Sequence, residues 1–387
     1  MKRNRIIWFC MWILSLLGIS FRGGAVSYGF FAVLTLIPFF SLLYLFAVYI
    51  LFHIYQNIER RYVTVNEPVR YRFSLVNECP LVFAGIRVKF FSSFSRITTL
   101  DDEPEYELQP KTRIEKETSL ICRYRGEYDV GIKEIEMQDY FRLFRITYKA
   151  RQRVQAVVKP QLLKLDRIGG IELADAVRAS EHNRTELDVL SREYVSGDDR
   201  RLINWSQSAR TGTLMTRTQT GTANQDIAII MDTSRISNNR SVYIPAENRI
   251  LEITLAVAYY FSRQNILSTE YHYQQEIVRS SVGDAARFEE FYEALSSVSF
   301  GSGNSHEALY DAIIRRTDIF NSSMIFLVLS SWDSAAEKLL TLFERSGLST
   351  VIFLVTDDKQ DIPDLTGFIR SRLISISPYD EIAEDMG

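Results

Sequence analysis

Cysteine is scarce: Cys10, Cys79 and Cys122 are the three in 387 residues, and no CxxC pair or Cys/His cluster has the spacing of a zinc site. An odd, sparse set reads as reduced thiols packed like small hydrophobes, and a Cys79–Cys122 bridge would require an exported domain. The four histidines, His53, His182, His272 and His306, form no HExxH pattern, and neither GxSxG nor a P-loop occurs. Nucleotide hydrolysis by this chain is therefore unsupported. Positive charge is not in excess either, since the formal net charge is -3. That balance excludes a global nucleic-acid footprint.

Apolar sequence is plentiful at the start of the chain. Ile6 to Phe21 reads IIWFCMWILSLLGISF without a charge, and after Arg22 to Gly24 a second apolar run reaches about Phe52. The second run can cross a bilayer core, which takes about 20 apolar residues, and the first can reach the interfaces through its flanks. A cleaved signal peptide competes, but no A-x-A-like site follows the first run. Residues 1–58 are read as two transmembrane helices. Lys2, Arg3 and Arg5 precede the first helix, Arg60 and Arg61 follow the second, and Arg22 lies between them. By the positive-inside rule both ends are expected in the cytoplasm. The alternative is a pair of buried core helices.

Residues 59–161 carry short alternating runs, YVTV, VRYRFSLV, AGIRVKFF, RIEKETSLICRY, GIKEIEMQ and QAVVKP, separated by turn signals that include NECP, DDEP and RGEYDVG. Period-two alternation and five or six strands predict a small β-sandwich. In DYFRLFR, Asp139 to Arg145, core packing is the expected task of Phe141, Leu143 and Phe144. Residues 162–225 are polar and irregular and read as a connector, with a hairpin through SARTGTLM turning at Thr211 and Gly212.

From residue 226 to 387 strands and helices alternate. Strands are predicted at Asp226 to Asp232, Leu267 to Tyr273, Met324 to Ser330, Thr350 to Thr356 and Leu373 to Ser377. Helices are predicted over Glu247 to Gln264, Ala285 to Ser297, His306 to Thr317 and Ser334 to Ser346. This alternation builds an open, largely parallel sheet that binds ligands at the carboxyl ends of its strands. Asp232 stands at such an end.

The stretch REYVSGDDRRLINWSQSARTGTLMTRTQTG, Arg192 to Gly221, followed by IAIIMDTS, resembles the signature of the "domain of unknown function 58" family. Asp139 to Arg145 resembles that family's Asp-Pro-Phe-Gly-Leu-type turn, with Tyr140 and Arg142 in place of Pro and Gly. The resemblance implies an α/β von Willebrand factor A-like domain (a Rossmann-like open sheet), a small all-β sandwich and an N-terminal transmembrane hairpin. It further implies a bacterial inner-membrane protein with its soluble domains facing the cytoplasm. The implied partners are a MoxR-type AAA+ ATPase and other membrane-bound von Willebrand factor A proteins, with no nucleic acid.

In the von Willebrand factor A family an Asp-x-Ser-x-Ser motif helps to hold a divalent cation at a metal-ion-dependent adhesion site. The resemblance offers Asp232, Ser234 and Ser305 as ligands for Mg2+, a hard cation suited to carboxylate and hydroxyl oxygens. Here the third motif position is Ile236, Ser237 is one place late, and in SSWD the expected aspartate falls on Ser331, two residues before Asp333. The alternative is a strand-end Asp232 that satisfies loop amides.

Asp198, Asp199, Arg200, Arg201, Asn204, Trp205 and Arg210 form a candidate interaction surface, because Arg and Trp are favoured at interface hot spots. The favoured reading is a structural clasp, in which the aspartates pair with the arginines and Trp205 plugs the junction with the α/β domain; a dual role remains open. The expected function is a membrane-anchored, non-enzymatic scaffold or adaptor with no catalytic residue. The alternatives are a hydrolase using an acidic, magnesium-dependent site and an extracytoplasmic adhesion-type binding protein.

Overall fold

Alternation along Pro68–Asn77 puts Val69, Tyr71, Phe73 and Leu75 inside while Arg70 and Arg72 face water. Such a strand needs a second layer to cover its apolar face. The computed structural model supplies it. It describes the chain except residues 102, 150–152, 164–166, 169–170, 173–188, 195–202, 204, 220–225, 236, 302, 305, 317, 358–361, 364, 366 and 380–387. The chain divides into two compact units, Met1–Lys159 and Pro160–Gly387.

The first unit opens with helices α1 (Lys2–Arg22) and α2 (Ala25–Leu51). Both are long and apolar enough to cross a membrane, with mean hydropathies of 1.5 and 2.3. Most of their apolar side chains are exposed, Leu14 at 67% and Phe39 at 62%, while Leu45 and Val48 near the end of α2 enter the sandwich core. The helices are antiparallel neighbours, with Trp8 Nε1 donating to the Leu34 carbonyl at 3.2 Å and Trp12 Nε1 to Thr35 Oγ1 at 3.0 Å.

Strands β1 (Phe52–Ile58), β2 (Tyr62–Thr64), β3 (Pro68–Asn77), β4 (Phe83–Phe90), β5 (Ser95–Ile97), β6 (Glu105–Leu108), β7 (Arg113–Cys122), β8 (Gly126–Val130), β9 (Ile132–Gln138), β10 (Arg145–Lys149) and β11 (Val154–Lys159) follow. They form sheets ordered β1-β3-β7-β5, β10-β9-β4-β6 and β2-β11-β8 around one core that includes Phe73, Phe83, Ile86 and Ile135. Cys79 and Cys122 are unbridged thiols in that core. Burial pushes the Cys122 thiol up to about 11.

Three expectations are corrected here. Residues 52–58, expected to close the helical hairpin, are β1, because Phe52 already packs in the sandwich core and β1 pairs with β3. RGEYDVG, expected as a turn, contains β8, which pairs with β11, and only Gly131, at φ 82, separates it from β9 in another sheet. Within Asp139 to Arg145, Leu143 is buried and Phe144 packs on the core, but Phe141 is 54% exposed. That loop is folded by the Asp139 carboxylate, which accepts from the Phe141 N–H at 3.2 Å and the Phe144 N–H at 2.7 Å. Arg142 lies in the left-handed region at φ 54, where the resembling family carries glycine.

The second unit has short pairs β12 (Arg167–Ile168) with β13 (Ile171–Glu172), and β14 (Val189–Glu193) with β15 (Met215–Gln219). A short helix, α3 (Trp205–Thr211), precedes β15. The hairpin expected through SARTGTLM is therefore a helix end, a left-handed Gly212 and a strand that pairs with residues 189–193.

Strands β16 (Ile227–Met231), β17 (Ser268–Gln274), β18 (Glu276–Val282), β19 (Met324–Leu329), β20 (Ser349–Val355) and β21 (Ser371–Ile376) form one sheet ordered β18-β17-β16-β19-β20-β21. It is parallel apart from β18, which pairs antiparallel with β17 at an edge that the alternating pattern did not predict. Helices α4 (Arg240–Ser262) and α5 (Phe288–Ser296) cover the face of Ile227, Ile229 and Met231. Helices α6 (His306–Ile314) and α7 (Ser334–Arg345) cover the face of Ala228 and Ile230. Burial on both faces explains why β16 reads IAIIM without polar alternation.

Candidate functional site

From the central strand β16 the chain leaves through α4 to β17 on one side, and from neighbouring β19 through α7 to β20 on the other. The carboxyl ends of β16 and β19 thus flank a topological switch point, where open α/β sheets bind ligands. Asp232 follows β16 and Ser330 follows β19. The buried Asp232 carboxylate accepts from the Ser234 N–H at 2.8 Å, the Ser234 hydroxyl at 3.1 Å, the Ser330 N–H at 3.2 Å and the Ser330 hydroxyl.

The cation facing it is a side chain. His306, first residue of α6, places Nε2 2.8 Å from Asp232 Oδ2 and 2.5 Å from Ser234 Oγ. Its Nδ1 lies 3.1 Å from Asp333 Oδ2, while Asp333 Oδ1 caps α7 by accepting from the Ala335 and Ala336 N–H groups at 3.1 and 2.8 Å. Burial would lower the His306 imidazole, but its hydrogen bond to Asp232 and that residue's charge, with Asp333 behind, push it up to about 9. Burial would likewise raise Asp232, and the same imidazole, aided by Ser330 and Ser234, holds it below its ordinary value. At neutral pH this is a carboxylate–imidazolium–carboxylate clasp.

The surrounding loops are tied to it. Gly301 N–H donates to the Thr233 carbonyl at 3.2 Å, Arg235 N–H to the Gly301 carbonyl at 3.3 Å, and Asn304 Nδ2 reaches Thr233 Oγ1 at 3.2 Å. The buried Tyr310 ring stands 5.9 Å from His306, and its hydroxyl has no hydrogen-bond partner among the described residues.

Of the three residues offered as Mg2+ ligands, Asp232 and Ser234 are hydrogen-bonded to each other and Ser305 lies outside the described residues. For Mg2+ the fit is poor. The Asp232 oxygens are taken by N–H and hydroxyl donors and by His306, and among the described residues no three His, Cys, Asp or Glu side chains converge to hold a metal. Asp333, displaced by two places in sequence, reaches the cluster through His306. Sequence motifs missed His306 and Ser330, which stand 74 and 98 residues from Asp232. The available signal was His306 following GSGNS in the loop where the resembling family places a ligand.

Among the candidate interaction residues, Asp198, Asp199, Arg200, Arg201 and Asn204, and the side chain of Arg210, lie outside the described residues. Trp205 opens α3 and is 68% exposed.

The fold and site define an open α/β sheet whose switch point is closed by an internal ion cluster, joined to a unit of two apolar helices and a β-sandwich. Residues 190–274, from β14 to β17, match the family described as "Protein of unknown function DUF58". No curated protein matches the chain. Among solved structures, the cohesin module of a Clostridium perfringens ATCC13124 family 33 glycoside hydrolase is 7% identical over 27% of this chain and 94% of its own, with a TM-score of 0.18. The GH20 exo-β-N-acetylglucosaminidase of Vibrio harveyi is 9% identical over 80% of this chain and 47% of its own, with a TM-score of 0.19. Cwp6 from Clostridium difficile is 9% identical over 84% of this chain and 53% of its own, with a TM-score of 0.18. Scores this low establish no shared fold, and nothing is carried over from those proteins.

Proposed function

We propose that the chain is a membrane-anchored, non-enzymatic scaffold whose α1–α2 hairpin spans the bilayer and whose von Willebrand factor A-like sheet presents a recognition surface in the cytoplasm. The observation that carries this is the closed Asp232–His306–Asp333 cluster. A switch point whose charges are paired within the protein holds its loops in place and leaves neither Asp232 nor Asp333 free to act as a base or to take a metal. The partner is a MoxR-type AAA+ ATPase, in systems with other membrane von Willebrand factor A proteins, and the exposed Trp205 is the contact on α3. Full-length protein purified from solubilised membranes with ATP retained is expected to bring down such an ATPase, and Trp205→Ala to lose it while staying folded. Recovery of no ATPase by the wild type would remove the partner. Reporter fusions at the C-terminus test orientation, and a periplasmic signal would reverse it.

One observation favours a second reading, a serine hydrolase. Ser234 Oγ, His306 Nε2, His306 Nδ1 and Asp333 Oδ2 stand in nucleophile, base and orienter order at 2.5 and 3.1 Å. Against it, Asp232 shares Nε2, and an imidazole raised to about 9 is protonated at neutral pH and cannot accept the serine proton. A fluorophosphonate probe that labels the wild type and not Ser234→Ala would establish the hydrolase.

A further inference from the structure

We infer that the base of the β-sandwich is itself a lipid-binding surface, docked into the headgroup–acyl boundary of the bilayer that holds α1 and α2. The inference rests on the reading of those helices as a membrane hairpin. The 27 residues of α2 extend about 40 Å at 1.5 Å per residue, more than the about 30 Å of a hydrocarbon core. The surplus lies at its end, where Leu45 and Val48 are buried in the sandwich core. The opposite side of those turns is apolar and open, with Phe46, Tyr49 and Ile50 exposed.

Two sandwich loops are fastened at the same level. Tyr44 and Tyr140 hydroxyls both donate to the Val82 carbonyl, at 3.0 and 2.7 Å, and the Ala84 N–H donates to the Tyr44 hydroxyl at 3.2 Å. The start of α1 holds the other side: Asn4 Nδ2 donates to the Phe141 carbonyl at 3.1 Å and Arg5 Nε to the Leu143 carbonyl at 2.6 Å. Ile6, the first residue of the apolar run, follows immediately. The loop tips therefore lie beside the point where α1 enters the hydrocarbon, and they carry Leu81, Tyr140 and Phe141, all exposed. Large apolar and aromatic side chains at that depth belong to the membrane interface, where an aromatic ring keeps its polar edge wet. The bilayer is the apolar surface that the hairpin brings within reach of these clustered side chains.

The test uses the full chain in phosphatidylcholine–phosphatidylglycerol vesicles with nitroxide labels on cysteine. Native Cys10 is exposed on α1 and reports on the hairpin, while Cys79 and Cys122 are buried. Phe141→Cys and Leu81→Cys, each in a Cys10→Ala background, report on the two loops. Glu67→Cys is the aqueous control, since Glu67 precedes the end of β3 remote from its Phe52↔Asn77 pairing with the strand that follows α2. Collision with oxygen relative to a water-soluble nickel chelate is expected to be several-fold higher at positions 141 and 81 than at 67, and highest at 10. Values at 141 and 81 equal to that at 67, with position 10 lipid-exposed, overturn the docking surface alone. Water-like values at position 10 overturn the hairpin and the inference together.

Discussion

His306 Nε2 lies 2.8 Å from Asp232 Oδ2, so that a histidine on α6 neutralises a buried carboxylate at the end of β16. Both shifts agree on the pairing, the imidazole being raised and the carboxyl lowered. The imidazolium does the electrostatic work that a divalent cation would do at such a carboxylate.

Removing that cation leaves an uncompensated buried charge. His306→Ala is expected to destabilise the α/β unit by about 3–5 kcal/mol. Urea unfolding of the detergent-solubilised protein checks this, and millimolar magnesium is expected to leave the wild-type midpoint where it is. A magnesium-induced rise in the wild type would show that the metal displaces the histidine.

The same pair dictates a pH dependence. A group raised in the folded state stabilises fully below its unfolded value and loses that contribution as pH climbs through the folded one. With His306 pushed up to about 9, stability should fall by roughly 3 kcal/mol between about pH 6.5 and about pH 9. Asp232 acts at the other end: its lowered folded value means its contribution is lost only as pH falls through that value. Unfolding midpoints at several pH values, compared with His306→Gln, test the alkaline arm, and a variant with the same alkaline loss refutes the assignment.

Gly131→Ala is expected to cost about 2–4 kcal/mol, from left-handed strain plus overpacking. At φ 82 an added Cβ would stand 2.6 Å from the Tyr71 hydroxyl. Tyr71 cannot easily yield, being buried and bonded to Gln56 at 2.6 Å and to the Ile132 N–H at 3.2 Å. Denaturant midpoints of the two proteins measure the difference.

Trp205→Ala is expected to change stability by less than about 0.5 kcal/mol, as surface substitutions usually do. A clasp role predicts a loss of about 3–5 kcal/mol, the range for truncating a large core aromatic. Thermal unfolding alongside the ATPase pull-down separates a recognition residue from a structural one.

Periodicity made most of the sheet legible. The IAIIM run, the SSMIFLVLS run and the strand from Thr350 were placed to within a residue or two, because strands covered on both faces must be continuously apolar. The edge strand Glu276–Val282 was not, since its EIVRSSV pattern has few large apolar residues and its pairing with β17 is decided by the turn before it. Phe141 misled for a related reason. Apolarity alone cannot distinguish a core residue from one exposed at a loop tip, as Phe141 is.

The sequence by itself determined two apolar helices, a sandwich followed by an alternating α/β region, and an aspartate at the end of the first sheet strand, because each is written in local period and composition. Only the tertiary structure decided that Asp232 is closed by His306, Ser330 and Asp333, that β1 grows directly out of α2, and that the sandwich loops are tied to the start of α1. Those contacts join residues tens of positions apart, and the sheet order and helix packing that bring them together have no signature in any one stretch of chain.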